Sequence, residues 1–225
     1  MRTKTLLLTA ALGIASAASS MAQVYSVNAV GYINLTLKPG FNLVANQLNA
    51  TGNNRLDTVL PAAPLETQVL KFANNNYTGD ISDGTSWLDA ITGDPSTTVV
   101  NPGQGFFYFN PGGSDVTATL VGEVPQGTGL TVPLPSGFSL VSSIVPQDID
   151  LTAANGFPQV LEAQYLTFNA VTQNYNTPLI NDGTEWLDSI SGLPATARPT
   201  VGQGFFIFNP GATLLNWVRN FSVNP

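Results

Sequence analysis

The chain has 225 residues, 43% of them hydrophobic and 9% charged, with no Cys, no His and a formal net charge of -7. Without His there is no imidazole base, no Ser-His-Asp triad and no His-held metal, and without Cys there is no thiolate nucleophile, disulfide or iron–sulfur cluster. The 7 Lys and Arg are scattered and form no basic patch, which argues against nucleic acid and anionic membranes as partners, while a mean hydropathy of +0.13 favours a packed core over disorder.

At the N-terminus, Arg2 and Lys4 precede an apolar run from Leu6 to Ala18, and Ser20-Met21-Ala22 makes an A-x-A-like site before Gln23. This pattern predicts a secretory signal peptide over residues 1–22, because the apolar run is shorter than the roughly 20 residues that span a bilayer. The protein is then expected in the periplasm, on the cell surface or outside the cell, with no membrane span after cleavage. An exported chain without cysteines relies on its core alone. The following segment, Val24-Tyr25-Ser26-Val27-Asn28-Ala29-Val30, is β-prone and uncharged. It reads either as the first strand of its own sheet or, through Val24, Tyr25, Val27 and Val30, as a strand that pairs with another chain.

Further on, short β-rich runs bounded by Gly, Pro, Asn and Asp predict strands at 31–37, 41–47, 68–72, 105–109 and 117–124. One helical turn is expected over 54–60, stopped by Pro61, with a counterpart at 157–161. The 105–109 run carries Phe106 and Tyr108 on one side and Phe107 and Phe109 on the other, the pattern of a central, buried strand.

From here the sequence repeats itself. Asp83-Gly84-Thr85-Ser86-Trp87-Leu88-Asp89 recurs 99 positions later as Asp182-Gly183-Thr184-Glu185-Trp186-Leu187-Asp188. At the same spacing of 99, Gly103-Gln104-Gly105-Phe106-Phe107-Tyr108-Phe109-Asn110-Pro111-Gly112 recurs from Gly202 to Gly211. Gly40-Phe41-Asn42-Leu43-Val44 recurs 97 positions later as Gly137-Phe138-Ser139-Leu140-Val141. The expectation is an all-β protein of two tandem homologous β-sandwich or small-barrel units with minor single-turn helices. The units are residues 23–126 and 127–225, free to pack as one domain. Similar openings at Val30-Gly31 and Val121-Gly122 suggest strands shared or exchanged at the junction.

The Gly-Phe-x-Leu-Val strand, the Trp after a turn and Pro102-Gly103-Gln104-Gly105-Phe106-Phe107 together resemble secreted bacterial β-repeat modules. They are similar in particular to exported proteins of Verrucomicrobia-like bacteria that carry two such units. The resemblance covers nearly all of residues 27–225 and implies an extracellular or envelope β protein; it transfers no catalytic or binding residue. The second copy departs from it with Val201 in place of Pro102.

Several residues invite chemistry. Asp83 with Asp89, and Asp182 with Asp188, could form the acid and base of a glycan hydrolase, or the Asp-Gly pairs could be structural turns. Asp80, Asp83, Asp89 and Asp94 place oxygen ligands in one loop, as a calcium site would. Trp87, Trp186 and Trp217 are either core anchors or sugar-stacking platforms, and Trp217 stands apart because Ala118 occupies its matching position. The glycines of Gly-Gln-Gly precede a strand and so do not form a dinucleotide loop. The sequence therefore points first to a secreted, non-enzymatic structural or interaction protein of the cell envelope or extracellular matrix, self-assembling by strand exchange. A carbohydrate-binding module is the second reading and a carboxylate-based glycan hydrolase the third. The partners to consider are another copy, other envelope proteins or a polysaccharide, and no cofactor is expected.

Overall fold

A computed structural model describes residues 29–61 and 63–223. The signal segment 1–22 and the candidate assembly residues Val24, Tyr25 and Val27 lie outside these. The chain is all-β, with antiparallel pairing throughout. Among the described residues no helix is long and apolar enough to cross a membrane.

The N-terminal half runs β1 (Val30–Leu37), β2 (Gly40–Asn46), the one-turn helix α1 (Leu56–Val59), β3 (Gln68–Ala73), β4 (Asn76–Ser82), β5 (Trp87–Asp89), β6 (Gln104–Asn110) and β7 (Val116–Glu123). The C-terminal half runs β8 (Gly127–Leu134), β9 (Gly137–Val141), a 3-10 turn at Ala153–Asn155, β10 (Gln164–Leu166), β11 (Phe168–Asn169), β12 (Asn174–Tyr175), β13 (Leu179–Asn181), β14 (Trp186–Asp188), β15 (Pro194–Ala195), β16 (Phe205–Asn209) and β17 (Leu215–Phe221). One 11-stranded sheet takes strands from both halves in the order β15-β14-β13-β10-β16-β9-β6-β3-β4-β5, with β2 on β6. Two-stranded ribbons, β1 with β7 and β8 with β17, complete it beside the small β11–β12 pair.

Two sequence expectations are corrected here. No strand is exchanged at the junction: β7 returns to β1 and β8 pairs with β17, so each ribbon closes within its own half. The second helical turn lies at Ala153–Asn155 and not at 157–161, because Gly156 ends it in the left-handed region at φ 73. Pro158 then follows, a residue that biases its predecessor toward extended backbone.

Alternation along the strands builds three cores. Ile33, Leu35 and Leu37 of β1 and Leu120 of β7 pack on Val44, Val69, Phe106 and Tyr108 of the sheet. In the C-terminal half Val132, Leu134 and Trp217 of the ribbon pack on Val141, Tyr165, Phe205 and Ile207. The third core joins the halves: Leu43 and Phe107 meet Leu140 and Phe206. Both faces of the aromatic strands are therefore buried, one within its own half and the other between halves. Phe72 stands edge-on to Phe206 at 5.2 Å, and Phe168 to Phe107 at 5.3 Å. Fully burying each such ring stabilises the fold by about 1.5–3 kcal/mol.

The repeated Gly-Gln-Gly corner makes that junction possible. Gln104 pairs with Val141 across the β6–β9 contact, and Gln203 with Val44. Ala45 N–H donates to the Gly202 carbonyl at 2.9 Å and Ser142 N–H to the Gly103 carbonyl at 3.0 Å. A Cβ on Gly204 would stand 2.6 Å from the Val44 carbonyl oxygen and 3.2 Å from the Cα of Gly105, and one on Gly105 would stand 2.9 Å from the Val141 carbonyl oxygen. Only glycine lets two backbones approach so closely. The Gln side chains brace the corner: Gln104 Oε1 accepts from Asn101 N–H at 3.1 Å, and Gln203 Oε1 from Thr200 N–H at 3.0 Å.

Candidate functional site

The repeated aspartates are turn residues. Asp83 Oδ1 accepts from the Thr85 N–H at 2.8 Å, the Thr85 hydroxyl at 2.8 Å and the Ser86 N–H at 2.6 Å. Asp182 repeats this with Thr184 and Glu185 at 2.7–2.9 Å. Asp89 accepts from Ile91 and Thr92 N–H, and Asp188 from Ile190 and Ser191 N–H. These bonds hold all four carboxyls below the ordinary carboxylate range, the Thr85 hydroxyl leading at Asp83 and backbone N–H donors at the other three. A glycosidase acid needs the opposite shift, so that it still carries a proton near neutral pH.

The calcium quartet does not converge. Asp80 is buried in β4 opposite Asp89, where its charge acts on Lys71, while Asp94 is exposed. Among the described residues no group of three or more acidic side chains is close enough to hold a metal ion.

The tryptophans are also corrected as sugar platforms, since Trp87, Trp186 and Trp217 are only 5%, 3% and 0% exposed. Each indole N–H finds a backbone carbonyl: Leu60 at 2.9 Å, Leu151 at 2.7 Å and Asn155 at 3.0 Å. A ring so enclosed offers no face to a sugar. Of the candidate assembly strand, Val30 is described; it opens β1 opposite Glu123 and is 58% exposed.

What the fold does bring together is a pair of clefts where the halves meet. The first, about 300 Å³, lies between the Asn101–Gln104 turn with the end of β3 and the β8–β9 segment, and is lined by Phe72, Asn74, Gln104, Thr131 and Ser139 among others. The second, about 280 Å³, lies between the Thr200–Gln203 turn with Phe168 and the β1–β2 segment, including Asn34, Thr36 and Asn42. Neither wall contains a charged side chain. They differ at several matched positions, Asn42 against Ser139 among them. Asn42 spends its amide on Lys38 and Gly40, accepting from Lys38 N–H at 2.7 Å and donating to both carbonyls, whereas the buried Ser139 hydroxyl has no hydrogen-bond partner.

Sequence reading missed these clefts because each is assembled from a turn of one half and a strand of the other. The Gly-Gln-Gly repeat was the available signal. Compared with known proteins, the chain matches no family model, no curated protein and no solved structure.

Proposed function

We propose that the chain is an exported, non-enzymatic structural or interaction protein of the cell envelope or extracellular matrix, built from one β unit written twice and able to associate with further copies of itself. Export rests on the residue pattern of 1–22. Duplication into units 23–126 and 127–225 is supported by contacts that recur at matched positions: Gln104 on Val141 as Gln203 on Val44, and Ala45 on Gly202 as Ser142 on Gly103.

The observation that carries the association is where the large aliphatic side chains stand. Ile91 and Ile190 are 89% and 83% exposed on matching turns after Asp89 and Asp188. Leu65 and Leu161, 62% and 60% exposed, sit against the matching Gly84 and Gly183 turns. The Asx turns that carry Ile91 and Ile190 accept polar residues equally well, whereas full burial of such a side chain at an interface stabilises by about 1.5–3 kcal/mol. Light scattering on the full chain, secreted from a bacterial host and run across concentration, tests this. Oligomers that Ile91→Ser combined with Ile190→Ser dissolves are expected; a strict monomer at every concentration overturns it.

A carbohydrate-binding reading is favoured by one observation, the two uncharged, amide- and hydroxyl-lined clefts beside Phe72 and Phe168. Polysaccharide retention that weakens in Asn74→Ala with the fold unchanged would support it. Retention that ignores this substitution would remove the first cleft from consideration.

A further inference from the structure

Ala118 faces Leu35 across the β1–β7 ribbon as Trp217 faces Val132 across β8–β17. In the C-terminal half that indole is fully enclosed. It stands edge-on to Phe157 at 5.4 Å, lies 6.3 Å from Phe205 and donates its N–H to the Asn155 carbonyl at 3.0 Å. The N-terminal half has a methyl group at this place and, around it, a cavity of about 150 Å³. Its walls include Val59, Pro61, Val116, Ala118 and Tyr108. In the C-terminal half the connection over the ribbon supplies Asn155 and Phe157, the residues that hold Trp217; in the N-terminal half the connection over the ribbon supplies Val59 and Pro61. The cavity thus lies at the ribbon position that an indole fills in the other half.

Its chemistry is apolar with a polar contribution from one wall. Tyr108 stands where the C-terminal half has Ile207, and Thr67, behind it, where that half has Ala163. Tyr108 is almost fully buried, and burial pushes its phenol up, partly offset by the nearby Thr67 hydroxyl. Thr67 itself is fully buried and its hydroxyl has no well-formed hydrogen bond. Buried hydroxyls are normally satisfied, so the Thr67 hydroxyl leaves hydrogen-bonding capacity unused beside Tyr108, at the edge of an apolar space. Apolar cavities of this volume admit a benzene-sized ring. Thr117 and Thr119, both exposed, form the mouth, through which a substituent can project.

We propose that this cavity binds a small planar aromatic molecule, of phenol to indole size and carrying an O–H or N–H group. The ring would replace the missing indole between Ala118 and Pro61, and its polar group would meet the Tyr108 hydroxyl. The site is independent of the clefts and of self-association.

Heteronuclear NMR of the full chain titrated with phenol and with indole tests the assignment. Saturable shifts are expected at the methyl groups of Val59, Val116 and Ala118, with Val145 and Ile149 of the C-terminal half unmoved. Ala118→Trp supplies the indole from within and should weaken binding by at least about tenfold while raising the melting temperature. If that variant does not fold, Ala118→Leu fills part of the space and should weaken binding to a smaller extent. Tyr108→Phe should weaken phenol several-fold, about the effect of one hydrogen bond. A third probe, N-acetyltryptophanamide, separates sources: tighter binding than indole points to an aromatic side chain of a partner, and weaker binding to a free small molecule. No saturable shift with any probe, or unchanged binding in a folded Ala118→Trp or Ala118→Leu chain, overturns the proposal.

Discussion

Trp87 and Trp186 begin matching strands, yet their indole N–H groups end on different stretches of chain. Trp87 donates to the Leu60 carbonyl at the end of α1, and Trp186 to the Leu151 carbonyl ahead of the 3-10 turn. In the C-terminal half the segment after that turn crosses β17, where Val218 N–H donates to the Gly156 carbonyl at 3.2 Å. A Cβ on Gly156 would fall on the Val218 carbonyl oxygen. That crossing covers Trp217. In the N-terminal half the same span forms α1, and Ala118 leaves a cavity beneath it. The strands keep their places in the two halves, and the connections over the ribbons diverge, because strand pairing fixes backbone geometry while a loop need only satisfy the groups it meets.

The comparison can be broken most sharply at Trp217. Trp217→Ala removes a fully enclosed side chain and should lower stability by about 3–5 kcal/mol in denaturant unfolding. A cost below about 1 kcal/mol would mean that the crossing segment, and not the indole, holds β17. Next in size is Gly204→Ala, which forces a Cβ against the Val44 backbone and should cost about 1–3 kcal/mol. Gly113→Ala, with nothing within 4 Å of the added Cβ, is its control and should be close to neutral. A Gly204→Ala chain as stable as that control would refute the close-approach account of the corner.

Trp87→Phe and Trp186→Phe each leave a buried carbonyl without its donor and should cost about 1–3 kcal/mol. Because their acceptors are separate, the double variant should show the sum of the two losses. A clear departure from additivity would couple the two cores through the junction. The smallest effect is acidic. Asp83, Asp89, Asp182 and Asp188 have carboxyls lowered from 3.8 in the fold, so their stabilisation is present above that value and is lost as pH falls through the folded values. Asp83→Asn with Asp182→Asn keeps an acceptor oxygen and removes the titration. The unfolding midpoint, followed with pH below 4, should then fall less steeply than in the parent chain, and an identical acid limb would assign the loss to other carboxylates.

Much of the scaffold was legible in the sequence. β1, β2, β3, β6 and β7 lie within a residue of their expected bounds because alternating apolar residues and flanking turn residues mark them. β4 was not, since Asn76-Tyr77-Thr78-Gly79-Asp80-Ile81-Ser82 lacks an apolar period and becomes a strand by pairing along all of β3. The Asp-Gly turns could be read from local chemistry, as the backbone bonds to Asp83 and Asp182 are two and three residues away. The clefts could not, because Gln104 and Thr131, or Gln203 and Asn34, meet only once the halves dock. The contrast between Ala118 and Trp217 was visible as letters; its meaning as a vacant space required the ribbon register.

The third core also bears on the order in which the chain becomes safe from its own kind. Leu43 and Phe107 are covered by Leu140 and Phe206, residues made and released later than the strands they protect. An N-terminal sheet that formed first would carry a bare aromatic face, and the identical Leu140–Phe206 surface of a neighbouring chain could cover it as its own does. Exchange of whole halves between two chains would then be the expected failure under crowding, since it can keep the same Leu43–Phe107 on Leu140–Phe206 packing.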